Sequence, residues 1–265
     1  GPERGQSGGG RCRTTGPYPQ PGAGRLLKGL VFVGCGPGVG TTTLTGACAL
    51  VLRRMHRAVE TFKPIAIKCE RRQRQGLVSV EAEFLAYCSD TSYPLEAINP
   101  VRLAGDLPPA AGAGKPGRLV DFRAIRRTLR NLQSPQAHLL IDGGPGLMWP
   151  VAPRRVLADL IRGWGLPVAL VARSGEGAVN DLLVHATVAG SVGLEVSCTI
   201  INFYHPQRAT LAEEAAAEIV AGYGGLDLPT IVPEDSRTDM RRGAVGPSVL
   251  FPLRVLMASL DSKDP

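Results

Sequence analysis

One stretch constrains this chain more than any other: Leu30-Val31-Phe32-Val33-Gly34-Cys35-Gly36-Pro37-Gly38-Val39-Gly40-Thr41-Thr42-Thr43. An apolar strand runs into a glycine-rich turn, and the turn runs into a helix predicted to start near Thr41. The spacing is that of G-x-x-x-x-G-K-[ST] counted from Cys35 to Thr42, with Cys35 in the place of the first Gly and Gly34 and Gly36 on either side of it. Glycines let successive backbone N–H groups turn inward onto phosphate oxygens. The helix N-terminus adds free N–H groups and a partial positive charge. This makes Gly38, Val39, Gly40, Thr41, Thr42 and Thr43 candidates for holding the phosphates of a nucleotide. Thr41 stands where the pattern has Lys, and Thr42 keeps the hydroxyl that would hold Mg²⁺. The competing reading is a tight strand-to-helix turn whose glycines only permit close packing.

The rest of the chain alternates in the same way. Strand-like runs are predicted at 30–33, 59–62, 138–141, 167–171, 198–201 and 230–232. Helical patterns lie between or after them at 44–55, 80–87, 122–132, 155–162, 179–192 and 211–221. The strands are short and apolar without alternation, as expected when helices cover both sheet faces. The fold class is therefore α/β: a doubly wound, mostly parallel sheet with helices on both faces. Ligands in such sheets bind beyond the carboxyl ends of the strands.

The chain divides into residues 1–27, rich in Gly, Pro, Arg and Ser and expected to be a disordered tail or linker, and a P-loop domain over 28–265. Residues 105–117 read as a flexible loop. The formal charge is +7. Five basic residues against one acid in the first 28 carry over half of it, so the remainder is only mildly basic. With aromatics at 5%, a basic stripe interleaved with aromatics is missing, and nucleic acid is not the expected partner. The six Cys are scattered without a C-x-x-C pair, which argues against a zinc site and a disulfide framework and fits a reducing cytoplasm. No apolar run approaches the length of a membrane span. The four His (56, 138, 185, 205) form no ligand constellation in the sequence.

Strand ends supply the other candidates. Lys63 follows Phe62 and is placed to meet a phosphate or oxyanion. Asp142, with Gly143 and Gly144 behind it, follows Ile141, the usual place for an Mg²⁺ partner beside a phosphate loop. Asn202 follows Ile201 and has an amide suited to a purine edge. Glu81 and Glu83 open a helix, where the dipole favours acids. Gly177-Ala178-Val179-Asn180 precedes another helix and offers backbone donors to a carboxylate or phosphate.

In this order, the set resembles the dethiobiotin synthetase family, P-loop cyclo-ligases of biotin biosynthesis. Gly34 to Thr42 resembles its Gly-Thr-x-Thr-x-Val-Gly-Lys-Thr, and Phe62-Lys63-Pro64 its Tyr-Lys-Pro. Ile98-Asn99-Pro100-Val101-Arg102-Leu103 resembles its Val-Asn-Pro-Tyr-x-Phe. Asp142-Gly143-Gly144-Pro145-Gly146 stands for its Glu-Gly-Ala-Gly-Gly, and Gly177-Ala178-Val179-Asn180 for Gly-x-Ile-Asn. The resemblance runs from about Leu30 to Pro233. It implies an ATP- and Mg-dependent reaction in which a diamino carboxylic acid takes up CO₂ or bicarbonate, the carbamate is phosphorylated, and the second amine closes a cyclic urea. It assigns catalysis to Lys63, and metal to Thr42, Glu81 and Asp142. The nucleotide falls to the loop with Asp142, Gly143, Gly144, Asn202 and Pro233, and the substrate carboxylate to Gly177, Ala178, Val179 and Asn180. It also implies a homodimer.

The chain departs from the family at Thr41 for Lys, at Ile67 near an expected Ser, and in the exchanged acids Glu81 and Asp142. Losing one positioned charge on a phosphoryl transition state costs roughly 3–4 kcal/mol, unless Lys68 or Arg71 replaces it. Three readings follow: a slowed or altered cyclo-ligase, a nucleotide-binding relative with a regulatory or scaffolding role, or a related ligase for another amine. The first is preferred because Lys63, the carboxylates and Asn202 occur together.

Overall fold

The computed structural model describes residues 29–112 and 120–262. The tail expected over 1–27 and residues 113–117 of the expected loop lie outside them. The central sheet contains β1 (Gly29–Gly34), β2 (Val59–Phe62), β3 (His138–Gly144), β4 (Val168–Arg173), β5 (Val196–Tyr204) and β6 (Thr230–Pro233). Their order across the sheet is β6-β5-β4-β1-β3-β2, and every pairing is parallel. All six sequence-predicted strands are present. β3 and β5 run on by three residues, so Asp142 and Asn202 sit inside strands. Each is kept there by a neighbour in register: Asp142 opposite Phe32, and Asn202 between Arg173 and Val232.

Alternate residues of β1 explain the two helical layers. Val31 and Val33 face a core built with α3 (Phe122–Leu132), α4 (Leu157–Arg162), α5 (Ala178–Ser191) and α6 (Leu211–Gly224). Leu30 and Phe32 face the opposite core, built with α1 (Thr41–Arg54), α2 (Val80–Ser89) and α7 (Pro247–Ser262). Leu30–Val33 of β1 is thus buried on both sides, which is why it reads as an unbroken apolar run.

Several elements differ from the sequence expectation, among them Arg155–Val156, predicted as the start of a helix, which pair with Pro150–Ala152 as a hairpin before α4 begins at Leu157. A short antiparallel hairpin pairs Glu70–Arg72 with Gly76–Val78. Residues Pro109–Gly112, expected as irregular loop, form a 3₁₀ turn. Helix α7 is not among the predicted helices, and it carries Pro252 inside it. It persists because Val249, Leu253 and Met257 are buried against the sheet, and Pro247 occupies its first position, where a missing N–H costs nothing.

Candidate functional site

The carboxyl ends of β1, β2, β3, β5 and β6 open onto one cavity of about 1200 Å³. Its floor is the phosphate loop: Gly36, Pro37, Gly38, Thr41, Thr42 and Thr43 line it. Gly40 caps α1 with φ 93° and ψ 22°, in the left-handed region that glycine alone enters freely. It also has no room for a side chain, since a Cβ there would run into the amide of Asn202 and the ring of Phe203. Leu44 N–H donates to Gly40 O at 3.0 Å, so the first-turn N–H groups of Thr41, Thr42 and Thr43 are left for a ligand.

Beside this helix start, four side chains converge. Thr42 Oγ1 donates to Asp142 Oδ2 at 2.5 Å. Lys63 Nζ donates to the same oxygen at 2.7 Å and reaches Glu81 Oε2 at 2.8 Å. Thr42, Lys63 and Asp142 are buried. Burial alone pulls the Lys63 ammonium down, but Asp142 and Glu81 outweigh it and hold it above its ordinary value.

The supporting structure explains why these residues meet. Lys63 leaves β2 and is fixed by its backbone: its N–H donates to Ile98 O at 2.8 Å, and Asn99 Nδ2 donates to its carbonyl at 2.7 Å. The Ile98-Asn99-Pro100 motif therefore works as a brace for Lys63. Glu81 sits in the first turn of α2, whose cap Ser79 accepts from Ala82 N–H at 3.2 Å. Glu83 turns away to Arg72, at 2.6 and 2.9 Å, so of the two acids only Glu81 joins the site.

Asp142 Oδ1 has no hydrogen-bond partner among the described residues, although it is fully buried. The Thr42 hydroxyl and the carboxylates of Asp142 and Glu81, the first with this oxygen unpaired, are hard donors that fit Mg²⁺. That ion commonly takes one or two carboxylates and completes its shell with water and substrate phosphate. Among the described residues no group of three or more His, Cys, Asp or Glu is placed to hold a metal.

The structure brings together most of the predicted residues. Gly38, Thr41, Thr42, Thr43, Lys63, Glu81, Gly144, Asn202 and Pro233 line the cavity. Val39, Gly40, Asp142 and Gly143 stand behind the wall, with Val39 O accepting from Asn202 Nδ2 at 2.9 Å. Gly177, Ala178, Val179 and Asn180, at the start of α5, are not on the wall. Of the two cations considered as substitutes for a loop Lys, Lys68 lines the cavity and Arg71 does not. Arg71 alternates with Glu70 and Arg72 along its strand and points the other way.

Other wall residues, apart from Ile67, carried no sequence signal. Arg241 lines the cavity and pairs with Glu70, also on the wall, at 2.7 Å. Ile65, Ile67, Met148 and Trp149 make an apolar side, and His185 stands on the wall from α5. Only the i, i+3/i+4 spacing of buried α5 residues, Leu182, Ala186 and Ala189, could have shown that His185 borders the inward face.

A family model described as an AAA domain matches residues 28–241. An ATP-dependent dethiobiotin synthetase of Anaeromyxobacter dehalogenans (strain 2CP-1) is 34% identical over 193 residues, 73% of this chain and 84% of that protein. This chain belongs to the dethiobiotin synthetase family. The synthetase of Thermodesulfovibrio yellowstonii is 26% identical over 232 residues, 85% of this chain and 95% of its own. Solved structures share the fold. The septum site-determining protein MinD of Pyrococcus horikoshii, complexed with Mg-ADP, superposes with a TM-score of 0.56 at 18% identity, covering 89% of this chain and 97% of its own. A cobyrinic acid a,c-diamide synthase of Mycobacterium smegmatis, with bound ADP and magnesium, gives a TM-score of 0.51 at 16% identity, with 88% and 93% covered. Among the described residues no helix is long and apolar enough to cross a membrane.

Proposed function

We propose that the protein is an ATP- and Mg-dependent cyclo-ligase that joins CO₂ or bicarbonate to a diamino carboxylic acid and closes a cyclic urea. The convergence of Lys63, Thr42, Asp142 and Glu81 beside the free N–H groups of Thr41–Thr43 carries this reading. Backbone amides of Gly38–Thr43 hold the phosphates. Asn202 and Pro233 border the base, with Asn202 Oδ1 left to it because Nδ2 is engaged by Val39 O. Mg²⁺ would be held by Thr42, Asp142 and Glu81 and would supply positive charge to the phosphates.

Lys63 is the residue assigned to catalysis. Its ammonium sits between two carboxylates. It also lines the cavity, where it is placed to meet the carbamate and the transferring phosphoryl group. There it stabilises charge that grows in the transition state. The substrate carboxylate is assigned to Gly177, Ala178, Val179 and Asn180. Since these lie off the wall, they serve a substrate tail leaving the cavity or, in a homodimer, the cavity of a second copy.

A second reading, a nucleotide-binding relative with little turnover, is favoured by one observation: the first helical position of the loop carries Thr41 and no cation. Phosphate release measured with ATP, Mg²⁺ and bicarbonate, with and without a diamino acid, separates the two. The ligase reading expects release that depends on the diamino acid. Release at the same slow rate in both cases favours the second.

A further inference from the structure

We infer that His185 is the base that takes the proton from the substrate amine as it adds to CO₂; the inference rests on the ligase reading above. His185 stands two turns into α5, half-buried, with its ring on the cavity wall. Its Nδ1 lies 2.9 Å from the carbonyl oxygen of Asp181, one turn earlier. A carbonyl can only accept, so Nδ1 carries the hydrogen. The neutral ring then has its lone pair on Nε2.

Nε2 points at the turn that follows Asp142. A Cβ built on Gly146 would stand 3.5 Å from it, and Gly144, Pro145 and Gly146 form the adjoining wall. Glycine at 146 puts no side chain against that nitrogen, on a wall shared with the phosphate loop and Lys63. The acids on the wall and Asp142 behind it are otherwise engaged, Asp239 among them, which accepts from Arg241 N–H at 2.9 Å and pairs with Arg242 at 3.4 Å. Asp142 and Glu81 hold Lys63, Glu70 holds Arg241, Glu234 meets His205 and Asp235 holds Arg237. Asp106 is exposed. On the neighbouring loop, burial first and the Asp181 charge second push the Cys35 thiol up, so it is no thiolate.

The step balances without further reagents. The amine lone pair attacks the carbon of CO₂ and a C–N bond forms. One C–O π pair moves onto oxygen, and the N–H proton passes to Nε2. The products are a carbamate and an imidazolium, which returns its proton to solvent.

The test uses the full chain with ATP, Mg²⁺, bicarbonate and a diamino acid, following phosphate release. His185→Ala should lose about 10²-fold in rate with the KM for ATP within about threefold, and added imidazole should restore turnover in proportion to its concentration. Gly146→Ala, whose methyl meets Nε2 only at van der Waals contact, should fold normally and also slow the reaction. A His185→Ala rate within about threefold of wild type overturns the assignment, and so does a loss that imidazole fails to restore. Those results leave the ligase reading standing. A wild-type protein with no bicarbonate-dependent turnover overturns both.

Discussion

Lys63 Nζ and Asp142 Oδ2 meet at 2.7 Å inside the protein, with side chains 7% and 0% exposed. A buried pair of this kind does little for net stability while intact, but removing one partner strands the other charge. Lys63→Ala should therefore destabilise the ligand-free protein by about 3–5 kcal/mol. Mg²⁺ with ATP should recover much of that, because cations then meet the stranded carboxylates. Thermal melts with and without Mg²⁺ and ATP check this. The variant should show the larger ligand-induced rise, and equal rises would count against a shared role for Lys63 and metal.

Thr41 occupies the first turn of α1 on the cavity floor. If the absence of a loop cation limits turnover, Thr41→Lys should raise diamino-acid-dependent phosphate release by about 10-fold or more, a fraction of the 10²–10³ one positioned charge supplies. If Lys68 already fills that role from the wall, Thr41→Lys should leave the rate unchanged while Lys68→Ala abolishes it. Steady-state kinetics on both variants distinguishes the two.

Much of the fold was legible because its signals are local. Most strands of the sheet are short, largely apolar runs bounded by turn residues, and the glycines of the loop announce their geometry through spacing. Lys63, Asp142 and Glu81 were also legible, since they lie at or near strand ends and a helix start. What they do to one another was not. The distance from Lys63 to Asp142 spans 79 residues of sequence, and no periodicity reports such a pairing. Arg241 and Glu70 are 171 residues apart and were hidden for the same reason. His185 was set aside because a lone His carries no pattern; only the packing of α5 against β4 and β5 brings it to the cavity. Helix α7 was not read from the sequence; it contains Pro252, whose usual helix-breaking effect is outweighed by tertiary burial.

Gly40 is constrained twice, by its φ of 93° and by the amide of Asn202 standing where a Cβ would go. Gly40→Ala should cost about 1–3 kcal/mol of strain and displace Asn202 from Val39 O. The expected result is a lower melting temperature together with at least 10-fold weaker ATP binding by calorimetry. Unchanged affinity would show that the loop's conformation does not organise the phosphate site.

Asp235 ties the last strand to α7. It accepts from Arg237 Nε at 2.8 Å, Arg237 Nη2 at 2.7 Å and Ser248 N–H at 3.1 Å. The guanidinium holds this carboxyl well below the usual range. Because the folded value lies below the unfolded one, near 4, the stabilisation is complete above that pH. It is lost as pH falls through it toward the folded value. The melting-temperature gap between wild type and Asp235→Asn should be constant from pH 8 to 6 and close below about pH 4. A gap that persists into acid would mean the carboxylate charge is not the cause.

The ligase reading is tested most directly by following carbon from bicarbonate. Wild-type protein is incubated with ATP, Mg²⁺, a diamino carboxylic acid and ¹⁴C-bicarbonate, then acidified. Carbamates return their carbon as CO₂ in acid, whereas a cyclic urea retains it. The account predicts acid-stable label appearing together with phosphate, one for one, and neither appearing in Lys63→Ala at more than about a hundredth of the wild-type rate. Phosphate released without acid-stable label, at a rate indifferent to the diamino acid and to Lys63, would contradict it.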